Sequence, residues 1–339
     1  MLYQRIVATR QGGPEVLEVV EEELPELEPG EVRIRVQAAG VLLADVLWQQ
    51  GKVPGSPRLP FTPGYDVVGV VDQVGEELSV FHEGQKVAAL IQYGGYAEYA
   101  NVSAEKVVPV PEGLDPAEVV CLTVGYLTAT QIFHRVADLK PGQRVLVHGA
   151  AGGTGSAMVD LGRQMGLEMY GTASKAKHDL VNGLGAIAID YKNEDFVQRI
   201  FDLTGDGVDL VVDPIGGPNL KRSFKTLRPG GLLISTAAIA VIRGDVSPMG
   251  AVGSMLRFPI WNLWPNKKRA QLFDVVGYSR ERRDEYAADL RRLMHLLSDG
   301  EIKPVIAGPY PLEEARQAQE QLLDFKVQGK IVLINEEKL

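Results

Sequence analysis

Residues 143–155, Gln-Arg-Val-Leu-Val-His-Gly-Ala-Ala-Gly-Gly-Thr-Gly, constrain what this chain can fold into more than any other stretch. Arg144 to His148 read as a short buried parallel strand, and the small residues after them form a turn into a helix starting near Gly153. A strand, a glycine turn and a helix in this order suit a dinucleotide. Gly152 lets a pyrophosphate approach the backbone, Gly155 lets the helix lie close on the strand, and the helix N-terminus supplies N–H groups and a positive dipole end. Ala150 stands where the usual pattern has its first glycine, so the motif draws its weight from the segments around it. A plain glycine-rich turn between a strand and a helix is the competing reading.

The segments that follow supply the missing context. Leu167 to Thr172, Ala186 to Asp190, Val208 to Asp213 and Gly231 to Thr236 are compact apolar runs, separated by helical candidates near 175–183, 194–203 and 217–227. Strands alternating with helices imply right-handed βαβ units and a parallel, doubly wound sheet. Ahead of the motif the rhythm differs. Residues 1–120 carry short apolar runs such as Val32 to Ala38, Val67 to Val74 and Val87 to Ile91, parted by Gly12-Gly13-Pro14, Pro63-Gly64 and Gly94-Gly95. That punctuation predicts hairpin or barrel geometry. Asp115 to Ala137 then reads as helical, with Asp115 as N-cap and Pro116 in the first turn. Towards the C-terminus the pattern predicts a strand at Phe273 to Gly277, helices from about Glu281 to Leu297 and Leu312 to Leu323, and a final strand at Lys330 to Ile334.

A length of 339 residues corresponds to about two domains at roughly 150 residues each. The net charge of −9, with no polybasic tract to offset it, argues against binding to nucleic acid or an anionic membrane. No run of about 18 apolar residues predicts a transmembrane segment, and the N-terminus has no signal-peptide pattern. Cys121 is the single cysteine, so no internal disulfide and no thiolate metal cluster can form, and the cytoplasm is the default compartment. The stretch 237–269 has no clean period and carries Met249, Met255, Phe258, Trp261 and Trp264. Lid, interface and core are all open readings of it.

Taken together, these residues resemble the medium-chain dehydrogenase/reductase superfamily, and within it the zinc-independent quinone oxidoreductases. The resemblance is carried by Gly12-Gly13-Pro14-Glu15-Val16-Leu17, Pro63-Gly64-Tyr65-Asp66-Val67-Val68-Gly69, Gly95-Tyr96-Ala97-Glu98-Tyr99, the fingerprint itself, Leu127-Thr128-Ala129 and the terminal Gly-Lys-Ile-Val-Leu. Residues 258–268 look most similar to the vesicle amine transport protein branch, whereas Asp160 stands where the family usually has Gln. The resemblance implies an α/β fold with a GroES-like β-rich catalytic domain over 1–124, an inserted Rossmann domain over 125–268, and a segment 269–339 returning to the catalytic domain. It also implies a ligand cleft between the domains, and a homodimer formed through edge strands of the cofactor domains.

NAD sites carry an acid about 20 residues beyond the glycines. Here the sequence is Tyr170-Gly171-Thr172-Ala173-Ser174-Lys175-Ala176-Lys177, with no carboxylate. An acid would repel a 2′-phosphate, whereas a hydroxyl and ammonium groups stabilise it, so NADP(H) is favoured. Ser174 as a helix cap, with Lys175 and Lys177 merely solvated, is the alternative. By resemblance, Lys177 is the phosphate-binding lysine with Ser174 beside it, Tyr191 lies along the cofactor, and Thr128 holds the nicotinamide end. Ala150, Gly152, Gly153, Thr154, Gly155 and Lys330 complete the expected cofactor set. Where zinc relatives have a cysteine and a histidine, this chain has Leu42 and Tyr65, so no metal is expected.

Reduction of an electrophilic acceptor needs no Lewis acid. Nicotinamide hydride can reach a quinone or the β-carbon of an enone while the protein orients both partners. The oxygen that gains charge needs a donor, for which Tyr65 and Tyr93 are candidates; either is equally readable as a packing tyrosine. Asp45 matches a family aspartate, and orientation of its loop is the favoured role. Leu42 and Leu47 replace the Asn and Tyr common in quinone reductases, which favours bulky hydrophobic quinone or enone acceptors. The same two leucines, with the Met/Trp segment, support an alternative: an NADPH-binding redox-sensing or lipid-associated module with little catalysis.

Overall fold

The structure is a computed structural model that describes residues 1–52, 55–76, 78–236, 239–263 and 265–335. It divides into one unit of Met1–Leu127 with Ser279–Leu339, which holds two sheets, and another of Thr128–Tyr278, which holds a single parallel one.

In the first unit, β1 (Leu2–Ala8) and β2 (Leu17–Glu23) pair as an antiparallel hairpin. Next come β3 (Glu31–Val41), β4 (Asp66–Val74), β5 (Lys86–Leu90), β6 (Tyr99–Ser103) and β7 (Val107–Pro109). Alternation decides the inner face of β3, where Val32, Ile34 and Val36 are buried. They pack with Val67, Val71, Val87, Tyr96, Ile331 and Leu333 into one core. Two register shifts in the β3–β4 ladder let β3 pair with β4 and also with β6.

The second unit is built as the alternation predicts. Its strands are β8 (Arg144–His148), β9 (Glu168–Ala173), β10 (Ala186–Asp190), β11 (Val208–Asp213), β12 (Leu227–Ser235) and β13 (Arg269–Leu272). They lie in the order β10-β9-β8-β11-β12-β13, and every pairing is parallel. The order reverses between β8 and β11, which is the switch point of a Rossmann fold, where ligands sit at the carboxyl ends of the strands. A second core of Leu146, Ile189, Phe196, Ile200, Val211, Leu220, Leu233 and Phe258 covers this sheet.

The remaining strands, β14 (Ile306–Pro311) and β15 (Lys330–Ile334), return to the first unit, where the sheet order is β14-β15-β3-β4-β5-β7 with β6 on β3. Three elements differ from the sequence expectation. The strand expected at 273–277 lies earlier, as β13, because the Asp274 carboxylate accepts the Val276 and Gly277 amides and starts a helix, Val275–Glu281. Residues 269–278 therefore stay with the parallel-sheet unit. β14 was hidden by Gly308, Pro309 and Pro311, which an edge strand tolerates. The helix Leu43–Gln49 was also unmarked, because its N-cap residue is Leu42 and its first turn is organised by Asp45 instead.

The Met/Trp segment is two-faced. Phe258 is buried, and Trp261 stacks on Phe224 with ring centroids 4.4 Å apart. Met249, Leu256, Ile260 and Leu263 are 60–86% exposed. Trp264 lies outside the described residues.

Candidate functional site

At the end of β8 the chain turns through Gly149, whose φ of +69° is one that residues with a Cβ rarely adopt. Ala150 is buried, and its N–H donates to the Thr172 carbonyl over 3.1 Å. Gly152 is the N-cap of the helix Gly153–Gln164 and offers no side chain to cap it. The amides of Gly153, Thr154 and Gly155 therefore have no acceptor within their own helix, the standard condition for an anion site. A Cβ on Gly155 would overlap the Gly149 carbonyl and lie 2.8 Å from Ala150 Cα, and one on Gly171 would lie 2.5 Å from Ala150 Cβ. Helix, turn and strand are thus in contact through hydrogens alone, and the cradle suits a pyrophosphate. Gly155→Val is expected to push the helix off the turn and abolish detectable dinucleotide binding, measured by fluorescence titration, while far-ultraviolet circular dichroism keeps its helical signal.

Beyond β9, Ser174 makes no side-chain cap bond to the turn Lys175–Lys177, so the capping alternative is not realised. Lys175 is exposed and Lys177 half-buried. Burial, with the nearby charges of Arg243 and Lys192, pushes the Lys177 ammonium below the usual lysine range. Positive charge from Arg243 and Lys192 thus bears on Lys177, just beyond the strand end where an NAD site has its acid. The Tyr191 ring next to Lys192 is 41% exposed. The nearest strand-end carboxylate, Asp190, is occupied by Asn193 Nδ2 at 2.7 Å and the Lys192 amide at 3.1 Å. Thr128 is buried at the start of this unit. Sequence reasoning missed Lys192 and Arg243, since only the fold brings them beside Lys177.

In the first unit, Asp45 is fully enclosed. Its Oδ2 accepts the Leu42 amide and the Tyr96 hydroxyl, both at 2.9 Å, and its Oδ1 accepts the Gly64 amide at 3.1 Å. Asp45 therefore ties a helix start to the loop that carries Tyr65. Burial outweighs these three donors and raises its carboxyl from 3.8 to about 7. In the folded state the group therefore holds its proton where the unfolded chain has lost it, and its stability contribution falls as pH rises through that window. The ceiling is about 1.4 kcal/mol per pH unit. Between pH 5 and 8 the thermal midpoint of Asp45→Asn is expected to rise relative to wild type; an unchanging gap would refute the shift.

The structure brings Tyr65 and Tyr93 to one aromatic group. The Trp48 ring lies 5.3 Å from Tyr65 and 6.2 Å from Tyr93, centroid to centroid. Tyr65 is half-buried and Tyr93 is 53% exposed. Trp48 went unnoticed in the sequence, although its place three residues after Asp45 puts it one helical turn away. Leu47, read as facing the acceptor, is buried in the interior. Lys330 is buried too. Its Nζ meets Asp66 Oδ2 at 2.5 Å and the Val120 carbonyl at 3.0 Å. Asp66 also takes the Thr123 hydroxyl and the Gly40 amide, so this ion pair joins β3, β4, β15 and the helical stretch after Asp115.

Comparison with known proteins adds to this geometry. Residues 28–112 match the family of alcohol dehydrogenase GroES-like domains, and residues 184–333 match the zinc-binding dehydrogenase family. The quinone oxidoreductase of Rattus norvegicus is 32% identical over 331 residues, 95% of each chain. This chain belongs to the medium-chain dehydrogenase/reductase superfamily. The synaptic vesicle membrane protein VAT-1 homolog of Danio rerio is also 32% identical, over 98% of this chain and 70% of its own length. Among solved structures, the Escherichia coli quinone oxidoreductase complexed with NADPH superposes with a TM-score of 0.87 at 26% identity, covering 98% of this chain and all of that one. The human VAT-1 homolog-like protein gives 0.85 at 27% identity, covering both chains fully.

Leu42 and Tyr65 carry no thiolate or imidazole, and Cys121 is buried, with burial pushing its thiol up to about 12. Among the described residues no three His, Cys, Asp or Glu side chains group as metal ligands. Nor is any helix among them long and apolar enough to cross a membrane.

Proposed function

We propose that this chain is an NADPH-dependent reductase that delivers hydride to quinones or α,β-unsaturated carbonyl compounds without a metal. The observation that carries the reading is the positive charge that Lys192 and Arg243 add at Lys177, beyond the end of β9, together with a helix N-terminus without a side-chain cap beyond the neighbouring β8. In this assignment the amides of Gly153, Thr154 and Gly155 hold the pyrophosphate, and Gly152, whose own amide donates to the Gly149 carbonyl, lets it approach the backbone. Ser174, Lys175 and Lys177 hold the 2′-phosphate, Tyr191 lies along the cofactor, and Thr128 supports the nicotinamide end. The bound nicotinamide supplies the hydride. Tyr65 and Tyr93 offer phenol hydrogens to the acceptor oxygen as it gains charge, and Trp48, in contact with both rings, adds apolar surface for a flat acceptor. Asp45 positions Tyr65 through Gly64 and touches no reacting atom. Lys330 holds the β-rich unit together through Asp66.

Support for this reading comes from the NADPH complex of the Escherichia coli relative and the identity with the rat quinone oxidoreductase. The test is the initial rate of NADPH oxidation, with NADH in parallel, using a hydrophobic ortho-quinone and an enone as acceptors. Turnover with NADPH well above NADH is the expected result. Cofactor binding without turnover on either acceptor would sink the reductase and favour a second reading, an NADPH-binding module with little catalysis, which the exposed Met249, Leu256, Ile260 and Leu263 support. The proposal includes a homodimer through the outer edge of β13, which no described strand covers.

A further inference from the structure

Where the parallel sheet changes direction, a buried chain of polar side chains crosses three adjacent strands. His148 ends β8, Thr172 lies next to the end of β9, and Asp213 ends β11. All three are buried, as is Ser223 on the helix Asn219–Lys225. His148 Nδ1 lies 3.0 Å from Thr172 Oγ1, and its Nε2 lies 3.0 Å from Ser223 Oγ. Phe196 packs edge-on against the imidazole, with centroids 4.7 Å apart.

What each end can donate fixes the proton positions. The Asp213 carboxylate only accepts, and Ser223 Oγ, 2.6 Å away, has a single hydrogen, so Ser223 donates to Asp213. The Ser223 lone pair then faces His148, which places the imidazole proton on Nε2 and leaves Nδ1 as an acceptor. Thr172 gives its hydrogen to Nδ1 and accepts the Gly149 N–H over 3.3 Å. At the far end, Asn219 Nδ2 donates to Asp213 Oδ2 at 2.9 Å and to Ser223 Oγ at 3.3 Å. Asp213 Oδ1 accepts the amides of Ile215 and Gly216 at 2.8 and 3.0 Å. Burial pushes the imidazole below the usual histidine range; Asp213 opposes that effect and Arg222 adds to it.

We propose that His148 is a positioning residue of the cofactor site: as the Nε2–H tautomer it ties the Gly149 amide to Asp213 and so fixes the turn after β8 relative to the loop after β11. Gly149 is the lever. Its carbonyl abuts Gly155, so a displaced Gly149 displaces the helix turn whose amides face the pyrophosphate. An imidazole carrying its proton on Nδ1 instead would leave a bare Nε2 facing the Ser223 lone pair, or would take the Ser223 hydrogen away from Asp213, and either breaks the chain. His148 acts through Gly149 and touches no reacting atom. The inference rests on the NADPH reading above for the identity of the ligand, but the tautomer stands independently of it.

The experiment combines nitrogen-15 NMR of histidine-labelled wild-type protein with NADPH titrations of His148→Leu, Thr172→Val, their double variant and His148→Asn. The Nε2–H tautomer is expected at neutral pH. Each single variant that removes the link is expected to weaken NADPH about tenfold, on the order of one buried hydrogen bond. The double variant is expected to lose little more, since the first break already uncouples Gly149. His148→Asn, whose Oδ1 can accept the Thr172 hydrogen, recovers most of the loss. A wild-type ring protonated on Nδ1 would overturn the proposal, whether or not any variant folds. So would a wild-type Kd in His148→Leu accompanied by a lower Tm, which would mark the histidine as a packing residue. Absence of NADPH binding in the wild type would overturn the functional reading instead, and the tautomer would still decide the hydrogen-bond chain.

Discussion

Lys177→Glu is expected to raise the Kd for NADPH about a hundredfold while leaving that for NADH within about threefold. A charge-assisted contact with phosphate contributes on the order of 1.5–3 kcal/mol, and reversing the charge adds repulsion to its loss. NADH carries no 2′-phosphate and has nothing to lose there. The substitution leaves the fold intact, because Lys177 is only half-buried and Arg243 and Lys192 are present to meet the new carboxylate. Equilibrium fluorescence titration with each nucleotide measures both constants. Equal weakening of the two nucleotides would remove the cation cluster from the 2′-phosphate and leave the glycine turn as the remaining support for a dinucleotide. The contrast between the two cofactors isolates the ribose phosphate, which a simple loss of activity would not.

Lys330→Met is expected to destabilise the β-rich unit by about 3–5 kcal/mol, the cost typical of stranding one member of a buried ion pair. Asp66 has no exposed surface, and without the ammonium its donors among the described residues are the Thr123 hydroxyl and the Gly40 amide. Thermal unfolding followed by circular dichroism should show the first transition lowered by roughly 10 °C. Asp66→Asn combined with Lys330→Met is expected to recover much of the loss, because no uncompensated charge then remains inside. NADPH affinity measured at low temperature should stay within about twofold of wild type. A large loss of affinity with an unchanged Tm would return Lys330 to the cofactor. The pair also accounts for Gly40, where a Cβ would collide with the Lys330 side chain.

The residues around β8 show how far local chemistry reaches. Arg-Val-Leu-Val-His followed by small residues can satisfy its backbone and its apolar side chains together only as a buried parallel strand feeding a helix, so the switch-point strand and its turn were legible. The missing acid after β9 was legible for the same reason, since charge at a strand end is a property of the residues themselves. Asp45, Tyr65 and Tyr93 were picked out, but their division into a buried tie and an aromatic group depends on Gly64, Tyr96 and Trp48, which lie in separate segments.

Sequence by itself therefore determined the sheet types, the glycine cradle and the sign of charge beside it, because each follows from periodicity, backbone freedom or side-chain chemistry within a short stretch. Only the tertiary structure decided that Lys192 and Arg243 join Lys177, that Lys330 neutralises Asp66, and that His148 links Gly149 to Asp213. Those partners are between 15 and 264 residues apart, and both their electrostatics and their hydrogen bonds exist only once burial has removed water and set the distances.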